Sequence, residues 1–210
     1  MPHFQGLRAV QSQKTPRLIK SHLHYHVLPP ALFKSKCKKI YVMRNPKDVF
    51  VSGLMLTKYL KLAAPDKSPE EFLETWLQDE EYATPWWRHV RDFWLHRDDP
   101  TILWLTYEHM VKDLPEAIRQ IASHLDVKVT EKDVATLTEH CSFSNMKQNP
   151  STNASWIGEN SYVDKQFGGH IRKGRVGNWK EHLSEAAGNT IDAMVEDKLG
   201  DLDIQFDYGH

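Results

Sequence analysis

The apolar run Lys39-Ile40-Tyr41-Val42-Met43 ends abruptly at Arg44-Asn45-Pro46, and that junction constrains the fold more than any other stretch. Five residues rich in β-formers and closed by turn chemistry predict a buried strand. Asn45 is suited to cap a helix and Pro46 to occupy its first position, so a helix is expected from there through Leu60. The pattern recurs. Thr101-Ile102-Leu103-Trp104-Leu105 reads as another strand, leading into Thr106-Tyr107-Glu108. Arg17-Leu18-Ile19-Lys20 reads as a short strand that runs on to a turn at Pro29-Pro30. Helical segments lie between: a capping box at Ser68-Pro69-Glu70-Glu71, and a start at Thr84-Pro85 with Trp86, Val90, Phe93 and Trp94 at helical spacing. Further on, Ile118, Ile121, Ala122 and Leu125 mark one helical face and Val134, Leu137 and Cys141 another. A last helix starts near Ser184 and presents Ala187, Ile191, Met194 and Leu199. Short apolar strands separated by helices imply an α/β fold, a parallel sheet covered on both faces, in one domain over residues 1–210.

Charge narrows the function. The first 47 residues hold ten Lys or Arg and no Asp or Glu, whereas the whole chain carries a net charge of −1. Local positive charge in a near-neutral protein points to an anionic ligand of limited size, and a nucleic-acid groove would make the domain strongly basic. A chain that is 40% hydrophobic can bury a core, which argues against disorder. No apolar run approaches the roughly 18–20 residues of a membrane span, and Met1 to Val10 has no signal core. Two cysteines, Cys37 and Cys141, make neither a disulfide framework nor a cysteine zinc site. A soluble cytoplasmic protein is expected.

Three stretches carry candidate chemistry. Arg44 stands at a strand end before a helix N-terminus, where open α/β sheets bind ligands and the dipole favours an anion. Ser52, near the second turn of that helix, can add a hydroxyl donor. Between Lys165 and Lys180 there are five cations, four glycines and no acid, a loop able to bring backbone N–H groups and positive charge onto an anion. No G-x-x-x-x-G-K-[ST] pattern occurs, so it is not a Walker loop. The third stretch is Lys20-Ser21-His22-Leu23-His24-Tyr25-His26. With no carboxylate nearby, its histidines read better as a general base beside an anionic transferring group than as metal ligands. His24 and His26 read as packing or surface residues. Asn153-Ala154-Ser155 matches a glycosylation sequon without a secretory context, and Gln148 to Gly169 reads as a long polar loop.

Together these stretches resemble one family. Arg17-Leu18-Ile19-Lys20-Ser21-His22-Leu23 is similar to the R-L-[LI]-K-[TS]-H-L segment of cytosolic sulfotransferases. Ile40 through Ser52 resembles their strand-helix segment for the nucleotide 3′-phosphate, and Arg172-Lys173-Gly174 through Gly177-Asn178-Trp179-Lys180 their R-K-G-x-x-G-[DN]-W-K signature. Thr106-Tyr107-Glu108, Ser142-Phe143 through Met146-Lys147 and Asn149-Pro150 also fit. The resemblance implies a P-loop-NTPase-like parallel sheet flanked by helices. It also implies transfer of a sulfuryl group from 3′-phosphoadenosine 5′-phosphosulfate (PAPS) to a phenol, steroid, alcohol or amine, leaving adenosine 3′,5′-bisphosphate and needing no metal. His22 would take the acceptor's proton, and Lys20 would offset charge around the sulfuryl group. Arg44, Ser52 and Arg172 would hold the 3′-phosphate, with Lys173 and Gly174. Tyr107 and Phe143 would lie near the adenine, among Cys141, Ser142 and Met146. Cys141 stands where the family commonly has Thr, which leaves a hydroxyl contact to the base unmatched.

Two family elements are not matched in these 210 residues. One is the Y-P-K-[SA]-G-T-[TN]-W loop for the 5′-phosphosulfate, which in the family precedes the histidine segment together with a strand and a helix. An incomplete sequence, a shortened isoform or a pseudoenzyme would each account for this. Removing a preorganised donor typically costs roughly 10²–10³ in rate, so the residues as they stand are expected to turn over poorly while keeping the 3′-phosphate half. On that alternative the chain binds the nucleotide, or a protein partner, without turnover. The other element is the K-x-x-x-T-V-x-x-x-E dimer segment, which aligns with Lys180, Ser184, Glu185 and Asn189 and matches only at the lysine. A homodimer by that route is not expected, since Glu185 is a poor residue for a small apolar interface.

Overall fold

The computed structural model describes residues 12–78, 80, 85–154 and 163–209. Strand β1 (Lys39–Met43) pairs in parallel with β2 (Ile102–Thr106), in a register that sets Lys39 opposite Ile102 and Met43 opposite Thr106. Between the strands run α2 (Pro46–Tyr59), α3 (Pro69–Leu77) and α4 (Trp86–Trp94); the short α1 (Pro30–Lys34) precedes β1. After β2 come α5 (Tyr107–Lys112), α6 (Leu114–His124), α7 (Glu131–His140), α8 (Phe143–Gln148) and α9 (Glu185–Leu199).

The helix starts follow local chemistry. The Asn45 side chain accepts from the Asp48 N–H at 2.9 Å with Pro46 at the first position, as expected. At α3 the capping box is complete: the Glu71 N–H donates to Ser68 Oγ at 3.1 Å, and the Ser68 N–H to Glu71 Oε2 at 2.7 Å. Ser184 caps α9 by accepting from the Ala187 N–H at 3.2 Å.

Two apolar clusters share α9. Phe50, Val51 and Leu54 of α2 pack with Phe72, Leu73 and Trp76 of α3 and with Ala187 and Ile191 of α9. Tyr41, Met43 and Ile102 of the sheet pack with Val90 and Phe93 of α4 and with Leu199. Trp86 touches both. This arrangement fixes the carboxyl end of β1 and the first turn of α2, where the expected site begins. The cover of the sheet is uneven, because Tyr41 and Met43 are buried while Ile40 and Val42 point away, 38% and 49% exposed.

One expected strand is absent. Arg17 to Lys20 forms no strand pair, and Leu18 and Ile19 are 91% and 61% exposed. A strand exists only through a neighbouring ladder, and among the described residues no edge runs beside this segment. The turn expected at Pro29-Pro30 is the entry to α1. Thr84, Ser155 of the sequon and the middle of the polar loop lie outside the described residues; Lys165–Phe167 forms a short 3-10 turn.

Candidate active site

Arg44 leaves the carboxyl end of β1 and lies half-buried against Tyr107, its guanidinium carbon 4.2 Å from the ring centroid. Tyr107 is the first residue of α5, directly after β2, so the parallel register brings these two side chains together. Arg44 Nη2 donates to the Arg175 carbonyl at 3.4 Å and stands 3.5 Å from Asp48 Oδ2. Its Nε is buried with no hydrogen-bond partner among the described residues. The glycine-rich loop therefore returns to the strand end.

Arg172 belongs to the same neighbourhood. Its pKa is lowered by burial first, then by the Arg44 guanidinium and by Arg175, while Glu181 and Asp48 act in the opposite direction. Two guanidinium groups thus share a site with more positive charge than its carboxylates neutralise. Arg172 Nη2 donates to Asn178 Oδ1, and Asn178 Nδ2 donates to Glu181 Oε2 at 2.8 Å. Gly174 has φ +64°, and a β-carbon there would overlap the Phe143 ring, so only glycine lets the loop pass that aromatic side chain. Lys173 and Ser52 are exposed, Ser52 on the second turn of α2. Cys141, Ser142 and Met146 are half-buried around the α7–α8 junction beside Phe143. The Ser142 hydroxyl caps α8, accepting from the Asn145 N–H at 3.4 Å.

Lys20 and His22 lie on the exposed segment before α1. Desolvation of the ring, then the Lys20 ammonium, lower the pKa of His22 and so favour the neutral imidazole. The same two causes act on His170, two residues before Arg172, so Lys20 lies in the field of both the histidine segment and the cationic loop. His24 and His26 gather around Asp92, with His26 Nδ1 2.6 Å from Oδ2 and the His24 ring centroid 5.1 Å from that of His89. Among the described residues no group of three or more His, Cys, Asp or Glu could hold a metal ion, and no helix is long and apolar enough to cross a membrane.

Three groups in this site were not singled out from the sequence. Asp48, buried at the start of α2, accepts from the Gly177 N–H and from the Trp179 N–H, each at 2.9 Å. Glu108, buried in α5, accepts from the Asn45 N–H at 2.8 Å and from Asn45 Nδ2 at 2.9 Å. His89 of α4 meets the Tyr41 hydroxyl at 3.1 Å through Nδ1 and hydrogen-bonds the Leu23 backbone. Burial chiefly, with His24 and His22, pulls its pKa down to about 4. The only sequence signal at Asp48 is that it is an acid in the first turn of a helix, which the helix dipole already accounts for.

The family model for the sulfotransferase domain matches residues 3–203. The chain belongs to the sulfotransferase domain family. It is 32% identical to an amine sulfotransferase of Oryctolagus cuniculus, over 94% of this chain and 66% of that protein. It is 33% identical to a 3-beta-hydroxysteroid sulfotransferase of Cavia porcellus, over 92% and 67%. Among solved structures it is similar to retinol dehydratase in a complex with retinol and PAP, at a TM-score of 0.86 and 30% identity, over 95% of this chain and 59% of that one. This sulfotransferase-domain chain thus spans about two thirds of the length of the curated relatives.

Within the sulfotransferase domain, Lys180, the one residue that matches the family's dimer segment, is engaged inside the chain, its Nζ donating to the Gly209 carbonyl at 2.7 Å. Trp179 Nε1 likewise donates to the Tyr208 carbonyl at 3.0 Å.

Proposed function

We propose that this domain binds the 3′-phosphate of a 3′-phosphoadenosine nucleotide between Arg44 and Arg172, and that it serves sulfuryl transfer from PAPS to a small-molecule hydroxyl or amine. The observation that carries the reading is the convergence of two guanidinium groups, 128 residues apart in the chain, with the buried Nε of Arg44 left unpartnered. Like charges that Asp48 and Glu181 offset only in part are costly to hold together, and a dianionic phosphate is the ligand chemistry that relieves them. Ser52, Lys173 and the backbone at Gly174 complete the cradle in this reading. Tyr107, which lies against Arg44, and Phe143, which lies against Gly174, bracket the adenine in this reading, with Cys141, Ser142 and Met146 along its edge. The retinol dehydratase complexes with PAP, the bisphosphate product, support the same ligand here.

The bound phosphosulfate supplies the sulfuryl group. Sulfuryl transfer, like phosphoryl transfer, depends on in-line positioning and on cations that neutralise oxygen charge. Lys20 supplies one such cation. His22, kept neutral by desolvation and by Lys20, accepts the acceptor's proton on its imidazole and thereby raises the nucleophilicity of the oxygen or nitrogen. The relatives named for amines and hydroxysteroids support acceptors of those classes, alongside phenols and other alcohols.

Calorimetric titration tests the binding half: adenosine 3′,5′-bisphosphate should bind at least tenfold more tightly than adenosine 5′-monophosphate, and equal affinities would overturn it. For the chemical half, incubation with PAPS and a panel of phenol, steroid, alcohol and amine acceptors should give sulfated product. His22→Ala should lower turnover by roughly 10²–10⁴-fold. Undiminished turnover in that variant would remove His22 from the role.

A further inference from the structure

Asp48 carries an unusual set of partners for a helix first-turn acid. It is 1% exposed, yet its carboxylate does not stop at its own helix. Oδ1 accepts from the Trp179 N–H at 2.9 Å. Oδ2 accepts from the Gly177 N–H at 2.9 Å and from Asn45 Nδ2 at 3.0 Å, with Arg44 Nη2 at 3.5 Å. Asn45 is itself held by the buried Glu108, through both its backbone and its side-chain N–H groups. The carboxyl ends of both strands are thereby tied to one carboxylate, which reaches 129 residues along the chain to the glycine-rich loop. Gly177 has φ +78°, and a β-carbon there would lie 3.1 Å from the Gly209 carbonyl oxygen, so glycine suits this point of the loop.

We propose that Asp48 is a positioning residue for the 3′-phosphate site, latching the Gly177 and Trp179 backbone so that Arg172 faces Arg44 before any ligand arrives. The inference rests on the 3′-phosphate reading above. Arg172 is joined to the latched segment through Asn178, the residue between the two latched amides. Asp48 also counters the positive field that Arg44 imposes on Arg172. Its two oxygens are filled by donors of the protein, so it acts on the ligand only through the loop. An ion site whose supports are fixed in advance does not have to order a loop on binding, and removing such a support at metal sites costs about 10- to 100-fold in affinity.

The test is titration of the intact 210-residue chain, wild type, Asp48→Asn and Arg172→Ala, with adenosine 3′,5′-bisphosphate and with adenosine 5′-monophosphate. Asparagine keeps the shape but turns one acceptor into a donor, so one loop amide loses its partner. The expected result for Asp48→Asn is about a tenfold or greater loss for the bisphosphate with no change for the monophosphate. Bisphosphate affinity within twofold of wild type, or an equal loss for both nucleotides, overturns the latch while leaving the phosphate site standing. If Arg172→Ala keeps the full advantage of the bisphosphate, the phosphate site itself fails and the latch falls with it. Hydrogen exchange of the ligand-free wild type decides the matter even where Asp48→Asn does not fold. The Gly177 and Trp179 amides should exchange as slowly as those of α2, and exchange at open-loop rates overturns the proposal.

Discussion

The two halves of the site are built in opposite ways. At the carboxyl ends of β1 and β2, Arg44, Asn45, Asp48 and Glu108 are interlocked, three of them buried, and the glycine-rich loop hangs from them by backbone hydrogen bonds. The segment with Lys20 and His22 has no regular structure before the 3-10 turn Tyr25–Val27 and exposes its apolar side chains. It is held from outside, by the His89 contact to the Leu23 backbone and by the rings around Asp92. In the proposed reading the anion half is thus a preorganised electrostatic device on a packed core, whereas the base half takes its position from neighbours. Preorganised dipoles and charges cost nothing to align at the moment of binding, which suits the part proposed to hold the 3′-phosphate.

The largest effect that would break this contrast lies in the core beneath the anion half. Phe50 is 0% exposed and packs against Phe72 and Trp76. Phe50→Ala should lower unfolding free energy by about 3–5 kcal/mol in denaturant titration. A loss below about 1 kcal/mol would mean that the helix carrying Asp48 is not anchored by this cluster.

Next in size is the charge at the strand end. Arg44→Ala removes a charged donor and its contact with the Tyr107 ring, so affinity for adenosine 3′,5′-bisphosphate should fall about 10- to 100-fold, equivalent to about 1.5–3 kcal/mol. Arg17→Ala, an exposed cation of the other half, should leave that affinity unchanged. Equal losses in the two variants would show that the halves differ in packing but not in function.

A smaller effect sharpens the contrast through pH. His89 is held neutral to about pH 4, by burial chiefly and by His24 and His22, against the opposing Leu23 hydrogen bond and Asp92. The unfolded chain takes up this proton near pH 6.5 and the folded chain refuses it until about 4. Stability is therefore complete above the unfolded value and is lost as pH falls through that window. His22 and His24 are lowered too and add in the same direction. Thermal unfolding between pH 8 and pH 4.5 should show a shallower fall for His89→Gln than for wild type. Parallel curves would remove His89 as the support of the base segment.

Local chemistry was legible where it is self-contained. Asn45-Pro46, the Ser68–Glu71 box and the Ser184 cap each satisfy their partners within a few residues, and the structure has a helix starting at each. The glycine-rich cationic loop was legible as composition, and the structure brings it to Arg44. Asp48 was not, because a first-turn acid is already accounted for by the helix dipole and its two loop partners lie far along the chain. His89 was hidden in the Trp-rich stretch, which reads as a core face and is one in the structure at Val90 and Phe93. In each case what could not be read was a long-range partner, and the strand expected at Arg17 to Lys20 fails for that same reason.

That segment supplies the smallest predicted effect and the sharpest use of the contrast. Leu18 and Ile19 read as part of a short strand from the sequence, but at 91% and 61% exposed they have little burial to lose. Surface substitutions away from special features stay within about 0.5 kcal/mol, so Leu18→Ser and Ile19→Ser should leave the denaturation midpoint of the chain within that limit. A loss of about 2 kcal/mol or more in either variant is the scale of a truncated core residue. It would mean that these side chains are buried in solution, that the base half is packed as firmly as the anion half, and that the contrast between them is wrong.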